Sequence, residues 1–109
     1  MSKYAYMVEY VSSRVNGECY AYTRQDANSL NQAITMVTEQ AEVNSDNVDP
    51  GIFKRYFRAR TKYTNNDRCY IRRNKPVSNG ELLEQIYSIY RYHSGDPCPT
   101  TLNEKMDNQ

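Results

Sequence analysis

Nine basic residues stand between positions 50 and 75: Lys54, Arg55, Arg58, Arg60, Lys62, Arg68, Arg72, Arg73 and Lys75. Asp67 is the one acid among them, so the segment carries +8. Residues 1–49 carry −4 and residues 76–109 carry −3, and the 109-residue chain sums to +1. Global neutrality therefore conceals one strongly basic stretch between acidic flanks. Tyr56 and Tyr70 stand among these cations. Arginine offers phosphate two parallel hydrogen bonds, and tyrosine offers a stacking face for an unpaired base or a hydroxyl for the backbone. The chemistry points to nucleic acid, or to the acidic surface of a protein that handles nucleic acid. The competing account is a solvated face of long side chains, neutralised by the acidic flanks.

Chemistry of other kinds finds little support. His93 is the single histidine, and the sequence places it near the end of a helix, where a cation favours the helix dipole. Cys19, Cys69 and Cys98 are an odd number without metal-ligand spacing, which suits a reducing compartment better than a disulfide scaffold. Cys69 reads as a buried, inert thiol. One histidine and three scattered cysteines form no metal cluster, and the four glycines form no phosphate loop. The expectation is no catalytic residue, no metal and no cofactor. A metal-independent RNase built from Arg, Tyr and Lys stays open as a third reading, because such a site leaves no spacing motif.

Elements must position these residues. Residues 3–13 alternate Tyr4, Tyr6, Val8, Tyr10 against Ala5, Met7, Glu9, Val11, as in a strand covered on both faces. Asn16-Gly17 marks a tight hairpin to a second strand over 18–25. A two-residue loop opposes Val15 to Glu18, Val11 to Tyr22, and Glu9 to Arg24, the last an opposite-charge pair. Ser29 and Gln32 form a capping box ahead of the apolar stripe Leu30, Ala33, Ile34, Val37, Ala41, which predicts an amphipathic helix ending near Asn44.

Residues 50–63 fit two patterns. Asp49-Pro50 can open a helix, yet period 2 sorts Phe53, Phe57, Ala59, Thr61, Tyr63 from Lys54, Tyr56, Arg58, Arg60, Lys62, with only Arg55 out of place. The second pattern predicts a strand. A further strand over 68–73 joins it through Asn65-Asn66-Asp67, opposing Lys62 to Tyr70 and Arg60 to Arg72. Ser78 and Glu81 form a second capping box, with the stripe Leu82, Leu83, Ile86, Ile89, Tyr90 and a stop at Gly95, which predicts a helix. The fold class is α+β: one domain over 1–95 in the order β-β-α-β-β-α, with a four-stranded, mainly antiparallel sheet and two helices on one face. Residues 96–109 read as a flexible tail.

This arrangement puts Lys54, Tyr56, Arg58, Arg60 and Lys62 beside Arg68, Tyr70 and Arg72 on one exposed hairpin face. A second candidate surface, for protein docking, comprises Met7, Val11, Tyr20 and Tyr22 around the Glu9–Arg24 pair. No run of about 18 apolar residues occurs, so no membrane partner is expected, and the N-terminus lacks a signal-peptide core, which predicts a cytoplasmic protein. Exposed sheet edges permit a homodimer by strand pairing. In small size, hairpin–helix layout and richness in Tyr and Asn, the chain resembles in general character the accessory proteins of phages and mobile elements. The resemblance covers no aligned stretch. The leading expectation is a non-enzymatic binding protein whose 54–73 hairpin contacts nucleic acid or an acidic nucleic-acid-handling protein. The alternative is an inhibitor or adaptor that docks on host machinery without nucleic acid.

Overall fold

Gly17 has a φ of +90°, which glycine adopts without the steric cost of a Cβ, and the strands on either side pair as the sequence predicts. β1 (Tyr4–Arg14) and β2 (Cys19–Ala27) are antiparallel, with Glu9 opposite Arg24 and Val11 opposite Tyr22. The turn is one residue longer than expected. Arg14, not Val15, closes on Glu18: its N–H donates to the Glu18 carbonyl, and the Gly17 N–H donates to the Arg14 carbonyl, both at 2.8 Å. A bulge between Ser12 and Ser13 absorbs the difference and restores the register. The computed structural model describes residues 3–15, 17–60, 67–77 and 79–97.

α1 (Leu30–Val43) starts at the expected cap. The Gln32 N–H donates to Ser29 Oγ at 3.1 Å, and Gln32 Oε1 accepts the Asn28 N–H at 2.7 Å. Ala33, Val37 and Ala41 are buried, and Asn44 ends the helix. After it, Ser45 has a φ of +57° and Asp46 turns back against the sheet.

Two segments exchange their expected types. Residues 51–59 form a helix, α2 (Gly51–Ala59), not a strand. Asp49 Oδ1 accepts the Gly51 N–H at 2.9 Å, and Pro50 supplies a helical φ at the entry. Phe53 and Phe57 are both buried. Their spacing of four satisfies period 2 and period 3.6 alike, which is why alternation misled. Arg55, the residue that broke the alternation, is exposed in the helix, where it pairs with Asp49 at 3.4 Å.

The expected last helix is a strand, β4 (Leu82–His93). It lies in the middle of the sheet and is buried on both faces, so its apolar residues run together and mimic a helical stripe. Glu81 caps no helix there. Its carbonyl accepts the Val77 N–H at 2.9 Å, and Gly80, with φ +84°, donates to the Val77 carbonyl at 3.0 Å. Ser78 lies outside the described residues. Gly95 follows the strand rather than a helix, and His93 is its last residue.

β3 (Asp67–Pro76) pairs with β4, not with residues 54–62. The expected opposition of Arg60 to Arg72 does not occur, because Arg60 ends α2 and Arg72 lies opposite Ile86. Tyr70 lies opposite Ser88, while Lys62 and the Asn65-Asn66 loop lie outside the described residues, as does the chain from Cys98 onward.

The class is nonetheless α+β, with one antiparallel sheet in the order β2-β1-β4-β3 and elements in the order β-β-α-α-β-β. Both helices cover one face. Ala33, Val37 and Ala41 of α1 and Phe53 and Phe57 of α2 join Tyr6, Val8, Tyr10, Tyr87, Ile89 and Cys69 in a single core. Burying each phenylalanine contributes about 1.5–3 kcal/mol. Arg91, on this face, ties α2 down: it donates to the Arg60 carbonyl and to Asp67 Oδ2, at 2.9 and 2.8 Å. A cation there also meets the negative end of the helix dipole. No helix among the described residues is long and apolar enough to cross a membrane.

Candidate polyanion interface

Because Phe53 and Phe57 turn one side of α2 inward, Lys54, Arg55 and Arg58 come together on the other, and all three are exposed. The helix carries no acidic residue. Arg60 ends it, with its guanidinium 3.8 Å from the centre of the Tyr56 ring. On β3, Arg68 stacks over Tyr70 at 4.2 Å and reaches Tyr90 at 5.6 Å. Its Nη2 also lies 3.2 Å from Ser88 Oγ. A ring beneath a guanidinium fixes the plane of the fork while leaving N–H edges to bond a phosphate.

The end of α2 and the start of β3 are neighbours. Burial pushes the Cys69 thiol above its ordinary pKa, and Arg60 and Arg68 both pull it the other way. Arg91 joins the two segments, donating to the Arg60 carbonyl and to Asp67 beside Arg68. Cys69 itself is buried.

The remaining cations of the basic stretch meet acids from the flanks. Arg72 Nη2 lies 2.9 Å from both oxygens of Glu84, which raises the Arg72 pKa further. Arg73 and Lys75 converge on Asp46, Lys75 at 3.1 Å. Burial opposes ionisation of Asp46, but the Tyr87 hydroxyl, Lys75 and Arg73 outweigh it and hold the carboxyl below the ordinary range. Burial likewise pushes the Tyr87 phenol well above its usual value. Among the described residues, Lys54, Arg58, Arg60 and Arg68 have no acidic partner.

The eight sequence-predicted binding residues are thus split. Lys54, Tyr56 and Arg58 sit on α2 and Arg60 caps its end; Arg68, Tyr70 and Arg72 alternate along the face of β3 away from the helices; Lys62 lies outside the described residues. Arg55 shares the exposed side of α2, as helical spacing from Lys54 and Arg58 could have revealed, but it pairs with Asp49.

The proposed docking residues also separate. Met7 and Val11 lie on the sheet face away from the helices but are 0% and 2% exposed, so neither presents a surface. Tyr22 is half-buried and donates to Glu9 Oε2 at 2.9 Å; Tyr90 donates to Oε1 at the same distance. Glu9 is fully buried and serves this network. Tyr20 alone of the four is well exposed. Among the described residues, no group of three or more His, Cys, Asp or Glu side chains could hold a metal ion. Comparison of the chain with protein-family models, curated proteins and solved structures finds no match.

Proposed function

We propose that the protein is a non-enzymatic binding protein that holds nucleic acid against the α2–β3 junction. The observation that carries this reading is the set of four cations without acidic partners among the described residues, two of them stacked on tyrosines. Lys54 and Arg58 supply charge from the outer side of the helix. Arg60 and Arg68 supply guanidiniums oriented by the Tyr56 and Tyr70 rings. Phosphate contacts of this kind position a backbone and carry no base sequence, so affinity is broad and salt-sensitive.

Four phosphate contacts give a slope of log affinity against log salt of about −3 to −4. Fluorescence anisotropy with a labelled oligonucleotide measures it. Replacing Arg58, Arg60 and Arg68 together with alanine removes three contacts and flattens the slope by about 2–3. A slope near zero in the native protein, or an unchanged slope in the variant, refutes the reading. Salt-dependent capture of an acidic protein with no oligonucleotide binding moves the same surface to a protein target.

One observation favours the second reading, docking on a protein partner. Val15 and Leu82, 81% and 46% exposed, line one hollow beside Arg14, and Tyr20, 61% exposed, lines a second one beside the same arginine. Exposed apolar side chains rimmed by charge suit protein contacts. A stable complex that survives nuclease and is lost on Tyr20→Ala supports this reading over the first.

A further inference from the structure

On the helix-covered face, a cleft of about 300 Å³ opens beyond the last turn of α1. Its polar wall contains an unmet donor. Ser12 is 1% exposed, and its Oγ has no hydrogen-bond partner among the described residues. Beside it, the Tyr10 hydroxyl accepts from Gln85 Nε2 at 2.8 Å, which leaves the phenol's own proton without an acceptor among the described residues. Lys75 gives one proton to the Asn44 carbonyl at 2.6 Å and faces Asp46 at 3.1 Å, with a third still to give.

Acceptors in the same wall are already engaged. Gln85 Oε1 receives Arg73 at 3.3 Å, Gln40 Oε1 receives Thr23 at 3.3 Å, and Asn44 Oδ1 receives Gln40 at 3.4 Å. These three oxygens each hold a donor already, and Arg73 with Lys75 outweighs Asp46 by one positive charge. Ala21, Val77 and Leu83 make the remaining wall apolar. The volume is at the lower end for small-molecule sites, too small for a dinucleotide.

We propose that this cleft binds a small monocarboxylate bearing an apolar group. The carboxylate accepts from Tyr10, Ser12 and Lys75, and the apolar end lies against Val77 and Leu83. This satisfies the buried Ser12 hydroxyl and neutralises the surplus cation in one step. It is independent of the nucleic-acid reading, whose residues lie on α2 and the start of β3.

Benzoate is the probe, with benzamide as its neutral isostere, titrated into the ¹⁵N-labelled full chain and followed by NMR. Saturable shifts centred on the amides of Ser12, Ala21, Leu83 and Gln85 are expected, with benzamide about tenfold weaker. Tyr10→Phe and Ser12→Ala each weaken benzoate several-fold, and Lys75→Gln about tenfold. Ser12→Ala removes only an oxygen and keeps the test valid if Tyr10→Phe fails to fold. No saturable shift, equal binding of benzamide, or full affinity in Ser12→Ala and Lys75→Gln overturns the proposal and leaves the cleft to water.

Discussion

Replacing Asp46 with Asn tests the network that fastens the α1–α2 connection to the sheet. The change keeps side-chain volume and one acceptor oxygen but removes the charge. Asp46 has no solvent-exposed side-chain surface, while Arg73 and Lys75 are 30% and 32% exposed. Removing one partner of a fully buried ion pair costs about 3–5 kcal/mol. Here water can reach both cations and screens part of that loss, so about 2 kcal/mol is expected. For a domain of this size that lowers Tm by about 8–16 °C. The pH dependence carries an independent signature. Because the folded carboxyl titrates below its unfolded value, it contributes stability that is fully present above the unfolded pKa. That contribution is lost as pH falls through the folded pKa. Urea unfolding at a series of pH values between neutral and about pH 3 should show a shallower acid limb in Asp46→Asn than in the native chain. A variant within about 0.5 kcal/mol of native stability, or one with an unchanged acid limb, refutes the assignment of Asp46 as the anchor.

Phe53→Ala should cost about 3–5 kcal/mol through the cavity beneath α2, whereas Ile52→Ala, at a position 39% exposed, should cost less than about 1 kcal/mol; chemical denaturation separates them. Gly80→Ala meets no atom within 4 Å but must hold φ +84°, so about 1–2 kcal/mol is lost to backbone strain alone. Thermal unfolding checks it, and a neutral result refutes the turn geometry.

The sequence was legible where one pattern stood alone. Asn16-Gly17 with an opposite-charge pair at Glu9 and Arg24 located the first hairpin, and Ser29 with Gln32 located α1. It misled where two patterns shared residues. Phe53 and Phe57 obey both periods, and the deciding sign was Arg55, whose charge would have faced the core of a strand. At residues 78–90 a Ser-x-x-Glu signature competed with Asn79-Gly80-Glu81, the same three residue types in sequence as at positions 16–18. Both turns close with the same pair of hydrogen bonds, from Gly17 and Arg14 in one and from Gly80 and Val77 in the other. Ile86, Tyr87, Ile89, Tyr90 and Tyr92 are β-branched and aromatic residues that favour a strand, but burial on both faces erased the alternation that identifies one.

The basic stretch was legible as composition, but its usable surface was not, because the acids that neutralise it come from distant parts of the chain. Asp46 lies 27 and 29 positions before Arg73 and Lys75, and Glu84 lies 12 positions after Arg72. Folding subtracts these cations and leaves the excess at the α2–β3 junction. Subtraction can be reversed. Arg72 lies on the same face of β3 as Arg68 and Tyr70, so freeing it from Glu84 should lengthen the row of donors available to a phosphate backbone. Glu84→Gln removes the counter-charge from an exposed pair, and exposed pairs contribute about 0–1 kcal/mol to stability, so the fold should survive. The oligonucleotide salt slope should steepen by about 0.7–0.9, one further phosphate contact, and Glu84→Gln combined with Arg72→Ala should return it to the native value. An unchanged slope in Glu84→Gln means that the nucleic acid does not run along β3, and confines the interface to α2.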